Sequence, residues 1–209
     1  MIRSMIRLFA TAAAYFYLMG KTALAHHLMG NQVPTNALEG LVSGLGHPII
    51  GPDHLAAIVA VGYLASTQRR PALGVVGFVV FMLVGAFLHV GSATFPGVDV
   101  LVSLTVAGLG VALTLVHQKA FGLVLLLFSL TGLFHGYALA ESIIGAQPDP
   151  VVSYLIGLAA IQSAIGLALA AGFRLLLTET RRALPVQFGG ALLVGIGLLS
   201  FIQQLMSSA

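Results

Sequence analysis

ALEGLVSGLGHPIIGPDHLAAIVAVGYL, residues 37–64, is an apolar stretch without a single Lys or Arg, yet it contains Glu39, His47, Asp53 and His54. At a rise of about 1.5 Å per residue it is long enough to cross a hydrocarbon core of about 30 Å. An ionisable side chain at the bilayer centre costs about 2.5–3.5 kcal/mol on insertion scales, which marks it as functional by default. His47, Asp53 and His54 stand together within eight residues, with Pro48, Gly51 and Pro52 between them. The prolines decide the reading. In an unbroken helix His47 and Asp53 point to roughly opposite sides, and His47 and His54 are about 10.5 Å apart along the axis. Pro52 cannot donate to the Pro48 carbonyl, nor Pro48 to that of Gly44. A helix broken here by Pro and Gly can gather imidazole and carboxylate, the arrangement that ion transporters build near the midplane. The plain alternative is a kinked helix whose His and Asp only bond each other.

Working outward, apolar stretches recur at 72–95, 98–117, 121–144, 151–176 and 186–206, separated by short breaks rich in Pro, Gly and charge. The expectation is an all-α polytopic membrane protein. It has six transmembrane helices and short loops that place sequential helices antiparallel in one bundle. Composition agrees: of 209 residues, 58% are apolar and 7% charged, where a soluble domain would carry about 25%. The mean hydropathy is +1.04. A water-soluble enzyme and a disordered tail are both excluded by these figures. There is no Cys, which removes disulfides and thiolate metal sites, and no Trp, which leaves residues such as Tyr63 and Tyr154 for the interfacial belt.

The net charge of +3 comes from the start of the chain: Arg3, Arg7 and Lys21 precede residue 25. Removing them leaves six basic residues against six acidic ones, so nothing supports nucleic-acid binding. Residues 1–25 read as a cleavable signal peptide: a basic start, an apolar run from Leu8 to about Met19, then Ala23-Leu24-Ala25. The alternative is an uncleaved first helix. The mature chain, 26–209, would be a single six-helix permease domain beginning with His26-His27. Arg69, Arg70, Lys119, Arg174, Arg181 and Arg182 fall in or beside the first, third and fifth connections, and the others carry no Lys or Arg. The positive-inside rule then puts both mature termini on the outer, periplasmic side of the cytoplasmic membrane. No Walker loop is present, so no nucleotide is expected to bind.

The fourth stretch holds the remaining intramembrane chemistry: Phe134-His135-Gly136-Tyr137-Ala138, followed by Glu141. Gly40/Gly44 and Gly132/Gly136 lie on the two motif-bearing stretches, which suggests that these two are direct neighbours bringing His135 toward His47. His26, His27, Glu39 and His89 fall toward the outer mouth, where they would capture cations. His117, beside Lys119, reads as solvated. Gln162, Ser163, Gln203 and Gln204 either line a path or bond neighbouring helices. Imidazole and carboxylate without sulfur suit Ni²⁺, Co²⁺, Zn²⁺ or Cu²⁺, and hard-ion cages for Mg²⁺ or Ca²⁺ use little His.

His47-x5-Asp53-His54, with Phe134-His135-Gly136-Tyr137-Ala138 and a following acid, resembles the HupE/UreJ family of secondary nickel permeases associated with hydrogenase and urease maturation. The resemblance extends to the leader, span number and loop lengths. It implies that His47, Asp53, His54, His135 and Glu141 handle metal, with none acting as a catalytic residue. Many members carry another His where this chain has Leu139, and the acid here stands closer to His135. The resulting expectation is an ATP-independent importer of Ni²⁺, with no resident cofactor, acting as a monomer or a homo-oligomer. The alternatives are a Co²⁺ permease of the same architecture and an intramembrane zinc-dependent hydrolase.

Overall fold

The computed structural model describes residues 32–115, 121–176 and 183–207, all helix and short connections. The signal peptide 1–25, His26, His27, His117, Lys119, Arg181 and Arg182 lie outside the described residues. Among the described residues seven α-helices follow one another: α1 Ala37–Ile50, α2 Pro52–Ser66, α3 Pro71–Val90, α4 Val98–Leu115, α5 Phe121–Leu139, α6 Pro148–Leu176 and α7 Ala183–Ser207. A 3-10 turn, Ala140–Ile143, extends α5.

Among the described residues, four stretches are long and apolar enough to cross a membrane: Pro71–Val90, Phe121–Ile143, Pro148–Leu175 and Phe188–Met206. α1 and α2 add a fifth if counted as one span bent by 78°, and Val98–Thr114 is apolar but shorter. Large apolar side chains such as Phe87, Leu123, Leu126, Ile156 and Leu198 are exposed, as a lipid-facing surface requires. The chain is a multi-pass membrane protein.

Local chemistry sets the bounds of the first two helices. Asn36 caps α1 by accepting from the Glu39 amide at 3.0 Å. Glu39 reaches back to accept from Thr35 N at 2.7 Å and from its hydroxyl at 2.9 Å. Two orphan donors at the helix start are thereby satisfied. Pro48 is tolerated inside α1, but at Gly51 the backbone turns extended, and Pro52 opens α2 at the position where proline's missing N–H costs nothing. Gly51 N donates to the His47 carbonyl at 3.1 Å, so the last turn of α1 closes before the break.

Helix pairing departs from the sequential antiparallel arrangement expected from the short loops. The most extensive contacts join α3 with α5, α4 with α7, and α1 with α6. Glycines without side chains let backbones meet: Gly40 against Pro150 and Gly44 against Tyr154, then Gly132 against Phe78 and Gly136 against Met82. These registers show that α1 runs parallel to α6 and α3 parallel to α5. Gly110 against Gly190 and Gly197 against Ala107 make α4 and α7 antiparallel. The two Gly-x-x-x-Gly pairs therefore mark close approach, but to α6 and α3 rather than to each other's helices.

A methyl group on Gly136 would collide with the Met82 backbone, which cannot rotate away. Gly136→Ala is expected to destabilise the bundle by about 1–3 kcal/mol, the usual cost of overpacking. Gly122→Ala, with nothing near its Cβ position, should be neutral or slightly stabilising. Thermal unfolding of both variants in detergent, alongside the parent, checks this: equal midpoints for Gly136→Ala and Gly122→Ala would refute the close α3–α5 approach.

Candidate metal-handling site

Breaking the first span brings its two imidazoles together. The His47 and His54 ring centroids lie 6.3 Å apart, and both residues are buried. His54, in the first turn of α2, meets His135 from the middle of the bundle, with Nδ1 of each ring 2.9 Å apart. The chain of imidazoles is thus His47–His54–His135, spanning α1, α2 and α5.

The Thr105 hydroxyl, on α4, donates to the Val102 carbonyl at 2.7 Å, and its oxygen lies 3.2 Å from His135 Nε2. His54 Nδ1 and His135 Nδ1 share one hydrogen bond, in which one ring donates and the other accepts. His54 Nε2 lies 4.0 Å from Asp53 Oδ1. The Asp53 carboxylate also accepts from the His54 amide at 3.0 Å, which fixes it at the N-terminal end of α2.

His47 packs edge-on to Tyr154 of α6, with centroids 6.4 Å apart. Tyr154 is fully buried and donates its hydroxyl to the Leu139 carbonyl at 2.6 Å. It is a wall of the imidazole chain and takes no part in an interfacial belt, contrary to the sequence expectation. Tyr63 likewise is partly buried and packs edge-on to Phe173. Hydropathy gives no warning of either placement, because an aromatic ring with one hydroxyl suits an interface and a hydrogen-bonded interior alike.

Glu141 does not join the imidazole chain. Its carboxylate lies 3.1 Å from His89 Nε2, at the end of α3. His89 is stacked on Tyr137 with centroids 3.9 Å apart, and its Nδ1 bonds the Tyr137 carbonyl at 2.7 Å. Tyr137 in turn donates to the Ala93 carbonyl at 2.7 Å and accepts from the Phe95 amide at 3.2 Å, tying down the turn after α3. Glu39, expected at the mouth, is engaged in capping α1. Among the described residues no three His, Asp or Glu side chains converge as a closed metal-ligand set. His47, Asp53, His54 and His135 form one cluster, and His89 with Glu141 forms a second, more exposed one. Thr105 and Tyr154 are the members that sequence reasoning missed. A hydroxyl on an apolar helix carries no periodic signal that would reveal either.

Comparison with known proteins bears on this geometry. Over 101 residues the chain is 35% identical to Protein HupE of Rhizobium leguminosarum bv. viciae, a match taking in 47% of this chain and 53% of that protein. The chain therefore spans about half the length of the curated relative it matches. No solved structure matches it. The family pattern described as HupE / UreJ protein matches residues 14–200, nearly the whole chain, and includes every residue of both clusters. The chain belongs to the HupE / UreJ family.

Proposed function

We propose that this protein is a secondary permease that admits Ni²⁺ to the cytoplasm for metalloenzyme maturation, with Co²⁺ as the competing substrate. The observation that carries the reading is the chain of buried imidazoles His47–His54–His135 beside the carboxylate of Asp53, at a broken helix in an otherwise apolar bundle. Borderline nitrogen donors and one hard charge suit a first-row divalent ion that must enter and also leave. His47, Asp53, His54 and His135 act on the ion within the membrane, and Glu141 with His89 receives it at the mouth. The mouth faces the periplasm in the orientation that the loop arginines favour. The helix registers support six alternating crossings: α1 parallel to α6, α3 parallel to α5, and α4 opposed to α7. An inside-negative potential supplies the driving force, about 4.6 kcal/mol per 100 mV for a divalent ion, from about 2.3 per charge.

The test is uptake of radioactive nickel into proteoliposomes holding the purified full chain, with and without an imposed inside-negative potential. Saturable uptake that rises with the potential, and that cobalt competes for, supports the proposal. Uptake no faster than that of protein-free vesicles overturns it.

At the mouth, His89→Ala and Glu141→Gln are expected to raise KM for nickel by roughly three- to tenfold, with the maximal rate little changed. They remove a capture pair of which Glu141 is exposed and His89 partly buried, and whose individual charge interactions are modest. Initial rates measured across nickel concentrations check this. A fall in maximal rate at unchanged KM would place the pair in the translocation step instead.

A further inference from the structure

α6 carries a polar side chain that neither cluster absorbs. Gln162 is 1% exposed, and its Oε1 has no hydrogen-bond partner among the described residues. A buried amide oxygen left without a hydrogen bond is costly, and an apolar residue of similar size would avoid that cost. Its place in the bundle follows from helix register. α6 runs parallel to the broken first span, with Gly44 of α1 set against Tyr154 and Gly62 of α2 against Gly166 and Leu169. Val75 of α3 and Ile58 of α2 together fill the space where a Cβ on Gly166 would stand. One turn back along each of the two parallel helices, Ile58 leads to His54 and Gly166 leads to Gln162. Two turns back along α6 from Gln162 is Tyr154, the wall of His47. The amide therefore stands at the level of the break, between the layer of Tyr154 and the layer of Ile58.

From this placement we infer that Gln162 lines the ion path as a neutral oxygen donor, contacting the divalent cation as it passes the break beside His54 and Asp53. The inference rests on the permease reading above and adds to it a specificity-determining residue from α6. A neutral amide suits that post. It replaces one water of the ion's hydration shell without adding a second negative charge that would hold a divalent ion in place.

The experiment measures nickel uptake against concentration in proteoliposomes of the full chain, together with thermal unfolding, for the parent, Gln162→Leu, Gln162→Asn and Gln162→Glu. Gln162→Leu is expected to raise KM roughly tenfold, the lower end of what lost metal-site partners cost, without lowering the unfolding midpoint. Gln162→Asn, which withdraws the amide by one methylene, should raise KM in the same direction. Gln162→Glu keeps an oxygen in reach, so KM should not rise, while the maximal rate falls as release slows. KM for Gln162→Leu within twofold of the parent overturns the inference while leaving the permease reading intact. Should Gln162→Leu fail to fold, an unchanged KM for Gln162→Asn overturns it equally. A parent protein without saturable nickel uptake overturns the permease reading, and the inference falls with it.

Discussion

His135→Ala is expected to abolish the proposed nickel uptake, with the initial rate falling at least about 100-fold, the upper range for lost metal-site partners. His135 stands at the junction of three elements: its Nδ1 faces His54 of α2, its Nε2 faces Thr105 of α4, and its own backbone belongs to α5. Truncation also removes the His135 partner of His54 Nδ1 and opens a void where a residue only 1% exposed had stood. His135→Asn separates chemistry from architecture. Its amide can occupy the position of Nδ1 and bond His54 Nδ1 as donor or acceptor, so the hydrogen bond between α2 and α5 survives. What disappears is the imidazole itself. Uptake by His135→Asn as low as that of His135→Ala, at a near-parental unfolding midpoint, assigns the ring to the ion. Transport within twofold of the parent would reduce His135 to a structural tie.

Asp53→Asn is the second large effect, expected to lower uptake by at least about tenfold. A loss of 1.4 kcal/mol in attraction for the ion already amounts to that factor. The amide oxygen can keep the bond now made to the His54 amide at 3.0 Å, so the start of α2 should hold. The negative charge beside His54 Nε2 is lost, and with it the one carboxylate that the described residues of the imidazole cluster would offer to offset a divalent ion. Radioactive nickel uptake at fixed potential, with membrane insertion followed by immunoblot, is the measurement. If Asp53 served only to brace the break, the asparagine would carry it and transport would persist.

Much of this site is legible in the sequence because membranes impose a severe filter. His47, Asp53, His54 and His135 are conspicuous only because their surroundings are so apolar, and Pro52 marks the helix restart through its missing N–H. Helix partners are a different matter. Gly44 and Gly136 announce that a backbone comes close, but a missing side chain does not say whose backbone, and the answers were Tyr154 and Met82. Glu141 shows the same limit. Its position after His135 suggests a shared ligand set, yet the chain tightens into a 3-10 turn at Ala140–Ile143, and the carboxylate lies against His89. Tyr154 reads as a member of the interfacial belt and Thr105 escapes notice, because their role is settled by what lies opposite them in space.

The interruption at Gly51 has an electrostatic consequence of its own. Where a helix stops, aligned peptide dipoles leave about half a negative charge, and where one starts, about half a positive charge. α1 stops and α2 starts within two residues of each other, at an angle of 78°, so the two partial charges point in different directions rather than cancelling along one axis. The carbonyl end of α1, which carries His47 in its last turn, is attractive to a cation, while the amide end of α2 favours the negative charge of the Asp53 carboxylate in its first turn. These fixed charges do not titrate. A site built this way keeps a standing polarity across a few ångströms of the protein interior, whatever the protonation of its three histidines.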